Sequence, residues 1–554
     1  MYGIGNNVYS FSSRALNVAK GRILFLMASF VLVFLIIICR LIQVMVIDGK
    51  DSTRAYMSVP KATTRVDIVD RNGTIVATSL PTVSLYACPY EILDFNEAVD
   101  KISSVFPDIN REDFFKKIKA SKKFLWVKRN LTPSQEQEVL NQGLPGFHFL
   151  KTEKRVYPDK NLLSHVIGGT DIDNVGIAGV EKVFDEVLCS STEPLMLSID
   201  MNIQFAVHDE LQKAIKEFHA LGGAAIVMEI ATGEILALMS LPDFDPNKNS
   251  DPTSHERFNM ATSSAIEPGS VAKIFNTAMA LETKRITPFT QYDARFPLKI
   301  GRFTIHDFRG KGTFLTVEEI LKYSSNIGSA KIALDVGKDK QKAFFKKIGL
   351  LDSVSCELAE TQHPIYPRNW SNASSMTIAF GHGIAFSPLH LITVVAGMLN
   401  HGLKNNPTLI KRRGESVGER IISEKTSKQI AVLMRINVTE GANSRAEVPG
   451  YFVGGKSGTA EKLNKGRYSK KANYTGFVGA FPMPNPKYAV YLVLDEPQAT
   501  EKTHGFRTAG WIAAPTAANI IKRIGPMLGV MASSKSEPDW QKMLRKIRWN
   551  NYQN

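Results

Sequence analysis

Three short stretches, taken in chain order, decide the fold: EPGSVAK at 267–273, SSN at 324–326 and KSGT at 456–459. Each alone is commonplace, because S-x-x-K and S-x-N occur by chance in many chains. In this order, with K-[ST]-G on a strand-like run and further strand-like runs behind it, they form a specific signal for serine-based acyl transfer. Pro268 and Gly269 open a helix and put Ser270 in its first turn. Ser270 and Lys273 then lie at i and i+3 on one helical face, within contact reach. A serine hydroxyl is a poor nucleophile until a base takes its proton. A lysine can be that base only when burial and a nearby cation hold it neutral. On this reading Ser270 is the nucleophile, Lys273 the general base, Lys456 the second cation, and Ser324 a proton relay bridging the two lysines. Asn326 offers a donor and an acceptor to a substrate amide. The strand carrying Lys456, Ser457, Gly458 and Thr459 lines the cleft and binds an extended peptide along its edge. The Ser457 and Thr459 hydroxyls suit a substrate carboxylate, and the backbone N–H groups of Ser270 and Thr459 suit an oxyanion.

The flanking sequence supplies a mixed α+β frame. GGAAIVMEIATGEILALMSL (222–241) reads as two strands around a turn at Thr232–Gly233. Helical patterns dominate from there to about residue 440, followed by strand-like runs at 450–460, 474–481 and 488–495 and a helix over about 510–527. Strands at both ends imply a sheet whose first strands pair with its last. Upstream, 197–218 reads as a turn and an amphipathic helix, and residues 60–195 alternate short strand-like runs with turns. Within them VDIVDRNGTIVATSL (66–80) reads as strand, Asn72–Gly73 turn, strand. Residues 96–143 read as helical, with Pro107 and Pro133 as breaks.

Composition bounds the alternatives. The chain has 554 residues, 44% hydrophobic and 22% charged, which suits several folded domains and excludes global disorder or a collagen-like fibre. A mean hydropathy of −0.10 excludes a polytopic membrane protein. The net charge of +15 suits an anionic membrane face or cell-wall polymer. It is spread along the chain without a recognised nucleic-acid motif, so no nucleic-acid partner is expected. Cys39, Cys88, Cys189 and Cys356 show neither C-x-x-C nor metal spacing, which excludes a disulfide scaffold and a Cys-rich zinc site. No metal and no cofactor are expected. HExxH and GxSxG do not occur, and His306 and His382 read as packing residues of turns. Residues 23–39 carry no charge and are long enough to begin a membrane span. Arg14, Lys20 and Arg22 before them place the N-terminus in the cytoplasm and the bulk outside. No cleavage site follows. Near the other end Trp540, Leu544 and Ile547 fall at helical spacing among basic residues, either a membrane-surface helix or, as the simpler reading, a loosely docked tail.

With these motifs in hand, the chain resembles a class B penicillin-binding protein, a membrane-anchored peptidoglycan D,D-transpeptidase. The resemblance extends to VDIVDRNGTIVATSLP, RVYP and SHVIGGTDIDNVGIAGVE in the non-catalytic pedestal. It continues through GEILALMSLPDFDPN, YSSNIGSAKIA, FGHGIAFSPLHL and GKSGTAEK, so that it covers roughly residues 65–500. The compact pedestal and LVLDEPQA are most similar to the septal, cell-division subtype. The resemblance implies an α+β architecture: a tail (1–22), a transmembrane anchor (23–44), a pedestal (45–195), a transpeptidase domain (196–530) built on an antiparallel sheet with a helical subdomain, and a C-terminal tail (531–554). It implies that Ser270 attacks the penultimate D-Ala carbonyl of a D-Ala-D-Ala stem peptide, that an amine of a neighbouring strand resolves the acyl-enzyme, and that β-lactams acylate the same serine. It implies a polytopic septal glycosyltransferase and other division proteins as partners, at the septum of the bacterial inner membrane with the catalytic domain in the periplasm. Arg65, Asp70, Arg71, Gly73, Gly179 and Glu181 match pedestal motifs and read as structural or regulatory. Departures are His382 where a tyrosine is frequent, the stretch around Met260 where the family often carries an arginine, and Ser457 for a common threonine. An elongation-specific transpeptidase, a serine β-lactamase or carboxypeptidase, and a β-lactam sensor or scaffold remain as alternatives.

Overall fold

The computed structural model describes residues 8–43, 65–248, 253–301, 303–412, 414, 416–464, 467–534 and 538–549. The described residues of the first unit form one helix, α1 (Val8–Ile42), apolar enough over Asn17–Ile42 to cross a bilayer and with none of that window buried. It fits single-pass anchoring. The apolar run past residue 43 and the first seven residues lie outside the described residues.

The second unit begins with a pedestal. Strand β1 (Ile68–Val69) turns through Asn72–Gly73 into the long strand β2 (Ile75–Ala87). The turn is fixed by Asp70, whose Oδ1 accepts from the N–H groups of Asn72 and Thr74, both at 2.8 Å, and whose Oδ2 accepts from Met201 N–H at 3.1 Å. Helices α2 (Phe95–Val105) and α3 (Arg111–Ala120) follow, each capped by a side chain, Asp94 and Asn110. Strand β3 (Leu125–Leu131), helix α4 (Pro133–Asn141) and strand β4 (Phe147–Val156) complete the outer layer, with β3 and β4 both antiparallel to β2. Strand β3 corrects the all-helical reading of 96–143. Its residues pair with β2 through a register broken by two irregularities, and Trp126 packs edge-on to Tyr86 and Phe124, so tertiary pairing overrides local propensity. Leu85, Val99, Ile102, Phe106, Phe114 and Ile118 form this layer's own core.

The pedestal's root is held by buried ions as well as by apolar packing. Arg65 and Arg155, buried, flank the fully buried Glu181: Arg65 Nη2 donates to Oε2 at 2.7 Å and Arg155 Nε to Oε1 at 2.6 Å. Arg65 also reaches Asp185 at 2.5 Å. These contacts give Arg65 and Glu181 a structural role, one of the two that the sequence allows. Ile68, Val76 and Val166 belong to the same apolar cluster as Ile226 and Phe275, so the root of the pedestal and the catalytic module share one core.

After strand β5 (Leu195–Met196), Asp200 caps helix α5 (Met201–Glu217). Strands β6 (Gly222–Glu229) and β7 (Ile235–Leu241) then form the expected hairpin. A helical insertion follows, including α6 (Ala272–Glu282), α7 (Asn326–Val336), α8 (Pro388–Leu399) and α9 (Glu424–Thr439). The chain returns through β8 (Gly454–Asn464), β9 (Arg467–Phe481) and β10 (Tyr488–Asp495) to helix α10 (Ala513–Met527). The sheet order is β8-β9-β10-β6-β7, all antiparallel, so the last strand does pair with the first. Helices α5 and α10 cover one face, and α6, α8 and α9 the other. Strand β9 starts seven residues earlier than the sequence suggests, because its polar first arm is a two-stranded ribbon that needs no apolar face. The C-terminal segment forms α11 (Trp540–Trp549), with Trp540 and Leu544 buried and Ile547 half-buried against the domain. Its apolar face is thus used within the fold, which corrects both readings of a loose or membrane-facing tail.

Candidate active site

The site is built where the edge of the sheet meets the start of a buried helix. Every residue of α6 from Ala272 to Leu281 is buried, the polar Lys273, Asn276 and Thr277 included, and Asn276 Nδ2 donates to the Ser329 carbonyl oxygen. A 3₁₀ turn, Gly269–Val271, leads into it and holds Ser270 half-exposed at its mouth. Gly269 has φ +52°, and a Cβ on it would lie 2.6 Å from the Thr459 carbonyl oxygen. Gly458 on β8 meets the same turn from the other side, where a Cβ would lie 2.3 Å from the Pro268 carbonyl oxygen. The two glycines let backbone touch backbone, which brings Thr459 beside Ser270.

Lys273, 1% exposed, lies one turn below Ser270. Its Nζ is 2.7 Å from Ser270 Oγ, 2.7 Å from Asn326 Oδ1 and 3.2 Å from Ser324 Oγ. Burial pushes its pKa far below that of an ordinary lysine; the charge of Lys456 lowers it further, and that of Asp307 opposes. A neutral amine at hydrogen-bond distance from a serine hydroxyl can accept its proton. Lys456 is equally buried, and burial brings its pKa down to about 7. Its Nζ donates to the Ser457 carbonyl oxygen at 3.0 Å. The structure therefore gathers Ser270, Lys273, Ser324 and Asn326 in direct contact, while Lys456 bonds its own strand.

Ser324 sits in the left-handed region, φ +59°, in the connection before α7. A serine held there costs about 1 kcal/mol or more, and the bend aims its hydroxyl at Lys273. Asn326 uses both ends of its amide inside the protein, since Oδ1 faces Lys273 and Nδ2 donates to the His306 carbonyl oxygen at 3.1 Å. It orients the lysine, a use the sequence reading did not assign to it. Ser457 and Thr459 point half-exposed from the face of β8 opposite Lys456 and Gly458. Thr459 Oγ1 accepts from Ala509 N–H at 3.0 Å, leaving its proton to donate. Strand β8 is the sheet's edge, and its only strand partner among the described residues is β9.

Three neighbours escaped the sequence reading. Asp307 accepts from the N–H groups of Asn326 at 2.6 Å and Ile327 at 3.0 Å, and from Ser325 Oγ at 2.7 Å. It is a non-local cap for α7, so no capping spacing announces it. Glu267, raised in pKa by burial, accepts from Gly383 N–H at 2.9 Å and from Tyr468 Oη at 2.8 Å. His382 packs edge-on to Tyr468, with ring centroids 5.7 Å apart, and burial lowers its pKa against the opposing pull of Glu461. His306 acts through its backbone, as expected of a turn residue; His382 adds its ring.

Residues 223–522 match the penicillin binding protein transpeptidase domain, and residues 60–200 the penicillin-binding protein dimerisation domain. The chain is 37% identical over 482 residues to a probable peptidoglycan D,D-transpeptidase FtsI of Caulobacter vibrioides, covering 84% of this chain and 82% of that one. It is 30% identical over 570 residues to a probable peptidoglycan D,D-transpeptidase PenA of Neisseria gonorrhoeae, covering 94% of each. Its fold is similar to the crystal structure of penicillin binding protein 3 from Mycobacterium, complexed with aztreonam, with TM-score 0.68 at 23% identity over 85% of this chain and 98% of that one.

Proposed function

This chain belongs to the penicillin-binding proteins that join a dimerisation domain to a transpeptidase domain, and on that premise we propose that it cross-links peptidoglycan stem peptides in septal wall synthesis through an acyl-enzyme on Ser270. It is a peptidoglycan D,D-transpeptidase, the activity for which its relatives are named. The observation that carries the mechanism is Lys273: fully buried, 2.7 Å from Ser270 Oγ, with a second buried lysine close enough to lower its pKa.

Ser270 Oγ attacks the penultimate D-Ala carbonyl while Lys273 takes its proton, a role worth roughly 10²–10⁴ in rate. The tetrahedral oxyanion sits on the N–H groups of Ser270 and Thr459, each worth about 10²–10³. The proton passes from Lys273 through Ser324 to the leaving D-Ala amine, and the C–N bond breaks. The amine of a second stem peptide then attacks the ester, and its proton passes through Lys273 to Ser270 Oγ as the ester C–O bond breaks. Burial keeps Lys273 deprotonated, and the charge of Lys456, when present, adds to that. Ser457 and Thr459 hold the donor's terminal carboxylate, and Gly458 lets the strand close on the turn. The donor peptide lies along the free edge of β8. β-Lactams acylate the same serine. Helix α1 anchors the chain with its N-terminus in the cytoplasm and the catalytic module in the periplasm, where the pedestal and anchor meet a polytopic septal glycosyltransferase and other division proteins.

The test supplies the detergent-solubilised chain with lipid-linked uncross-linked strands and measures D-Ala release and cross-linked muropeptides. Wild type releases D-Ala in step with cross-links, and Lys273→Met does neither. Release without cross-links would replace the transpeptidase by a hydrolase. Depletion in cells separates the septal role, which predicts filaments, from an elongation role, which predicts rounding.

A further inference from the structure

Outside the catalytic cleft, one cluster brings three chemically different donors to a single point. Cys88, Glu91 and His148 in the pedestal place Sγ, a carboxylate oxygen and a ring nitrogen within 4.8 Å of one another, each residue half-buried. The spacing is not readable in the sequence, because His148 lies 57 residues beyond Glu91. The fold supplies it. Tyr86 and His148 are directly opposed on β2 and β4, and Cys88 leaves the end of β2 with its N–H bonded to the Gly146 carbonyl at 2.7 Å. A single 3₁₀ turn, Pro89–Glu91, then folds Glu91 back over Cys88, its N–H donating to the Cys88 carbonyl at 3.0 Å.

From this juxtaposition we propose that Cys88, Glu91 and His148 form a divalent metal site of zinc-like preference on the pedestal, with solvent water as the fourth ligand. A thiolate, an imidazole and a carboxylate together suit a borderline ion such as Zn²⁺, and the thiolate disfavours Mg²⁺ or Ca²⁺. Zinc needs about 2.3 Å to sulfur and about 2.0 Å to nitrogen and oxygen. The three donors must therefore open and close by small rotations of half-buried side chains on a backbone that is already fixed. Glu91 and His148 touch at 2.5 Å, and the metal replaces that contact. The Cys88 thiol, raised in pKa by burial and then by Glu91, gives up its proton on binding, so one proton is released as the metal–sulfur bond forms. Bound metal would tie the end of the β2–β4 pair to the turn that leads into α2 and add to the pedestal's stability by mass action.

The test uses the full chain in detergent, reduced and stripped of metal, on a C39S/C189S/C356S background so that Cys88 is the only thiol. Titration with Co²⁺ is expected to give an ultraviolet thiolate-to-cobalt band and visible bands of four-coordinate cobalt, at one equivalent, and Zn²⁺ is expected to displace both. Adding Cys88→Ser abolishes the ultraviolet band; His148→Ala and Glu91→Gln each weaken Zn²⁺ binding on the order of tenfold or more. Circular dichroism melting confirms that each variant is folded. No thiolate band on the Cys88-only background, or one whose metal affinity is indifferent to His148 and Glu91, overturns the proposal.

Discussion

Replacing Gly458 by alanine tests whether the closeness of strand and turn is what assembles the site. The added Cβ would stand 2.3 Å from the Pro268 carbonyl oxygen and 3.1 Å from Val271 Cγ2, whereas real Cβ atoms essentially never come closer than 3.0 Å. Strand and turn must therefore part by about 0.7 Å or more. The obstacle is backbone rather than a flexible side-chain tip. The turn is continuous with α6, which is buried along its length, and β8 is pinned on its far side by pairing with β9. The gap opens between the Ser270 and Thr459 N–H groups. A misplacement of about 1 Å costs on the order of 10² in rate, and the overpacking costs about 1–3 kcal/mol of stability. The assay is the second-order rate constant for acylation by a fluorescent penicillin, read with a thermal melt. The expected result is a folded protein, lowered modestly in Tm, that acylates about a hundredfold more slowly. A folded Gly458→Ala protein acylating at the wild-type rate would refute the reasoning.

Other perturbations follow from buried charge and packing. Lys456 has a folded pKa of about 7 against an ordinary 10.5, so between these values the unfolded chain binds a proton that the folded chain does not, and stability rises with pH through that window. Melts from about pH 7 to about pH 10 should show a shallower rise for Lys456→Met, and an unchanged slope would remove Lys456 as a source. Glu181→Gln leaves Arg65 and Arg155 buried around a neutral partner. It should cost about 3–5 kcal/mol in denaturant unfolding of the pedestal, and an unshifted midpoint would contradict the pairing. Leu544→Ala empties a fully buried position under α11. A loss of about 2–5 kcal/mol is expected, with easier proteolysis after residue 530; an unaltered melt would mean that the helix is not docked.

The parts of the fold that rest on local pattern were legible in the sequence. The β6–β7 hairpin, the three returning strands, the helix after them and the Asn72–Gly73 turn all follow alternation and turn chemistry. Strand β3 was not, because 96–143 is rich in helix formers and its pairing with β2 is decided at long range. The site divides the same way. Ser270 and Lys273 meet because i and i+3 share a helical face, and the Lys273–Asn326 contact joins motifs 53 residues apart that only their order had linked. Asp307, Glu267 and Tyr468 escaped because each works across the fold, through a non-local cap or a strand-to-turn hydrogen bond. The docking of α11 was invisible for the opposite reason: amphipathic spacing reports that an apolar face exists and leaves open what covers it.

The central claim, that Ser270 is the nucleophile of an acyl-enzyme, is tested most directly by intact-mass measurement and peptide mapping after exposure to benzylpenicillin, for wild type beside Ser270→Ala. The account predicts one stable adduct per chain, mapped to the peptide containing Ser270 and absent from a folded mutant. An adduct on another residue, rapid turnover with no lasting adduct, or no acylation of folded protein would contradict it.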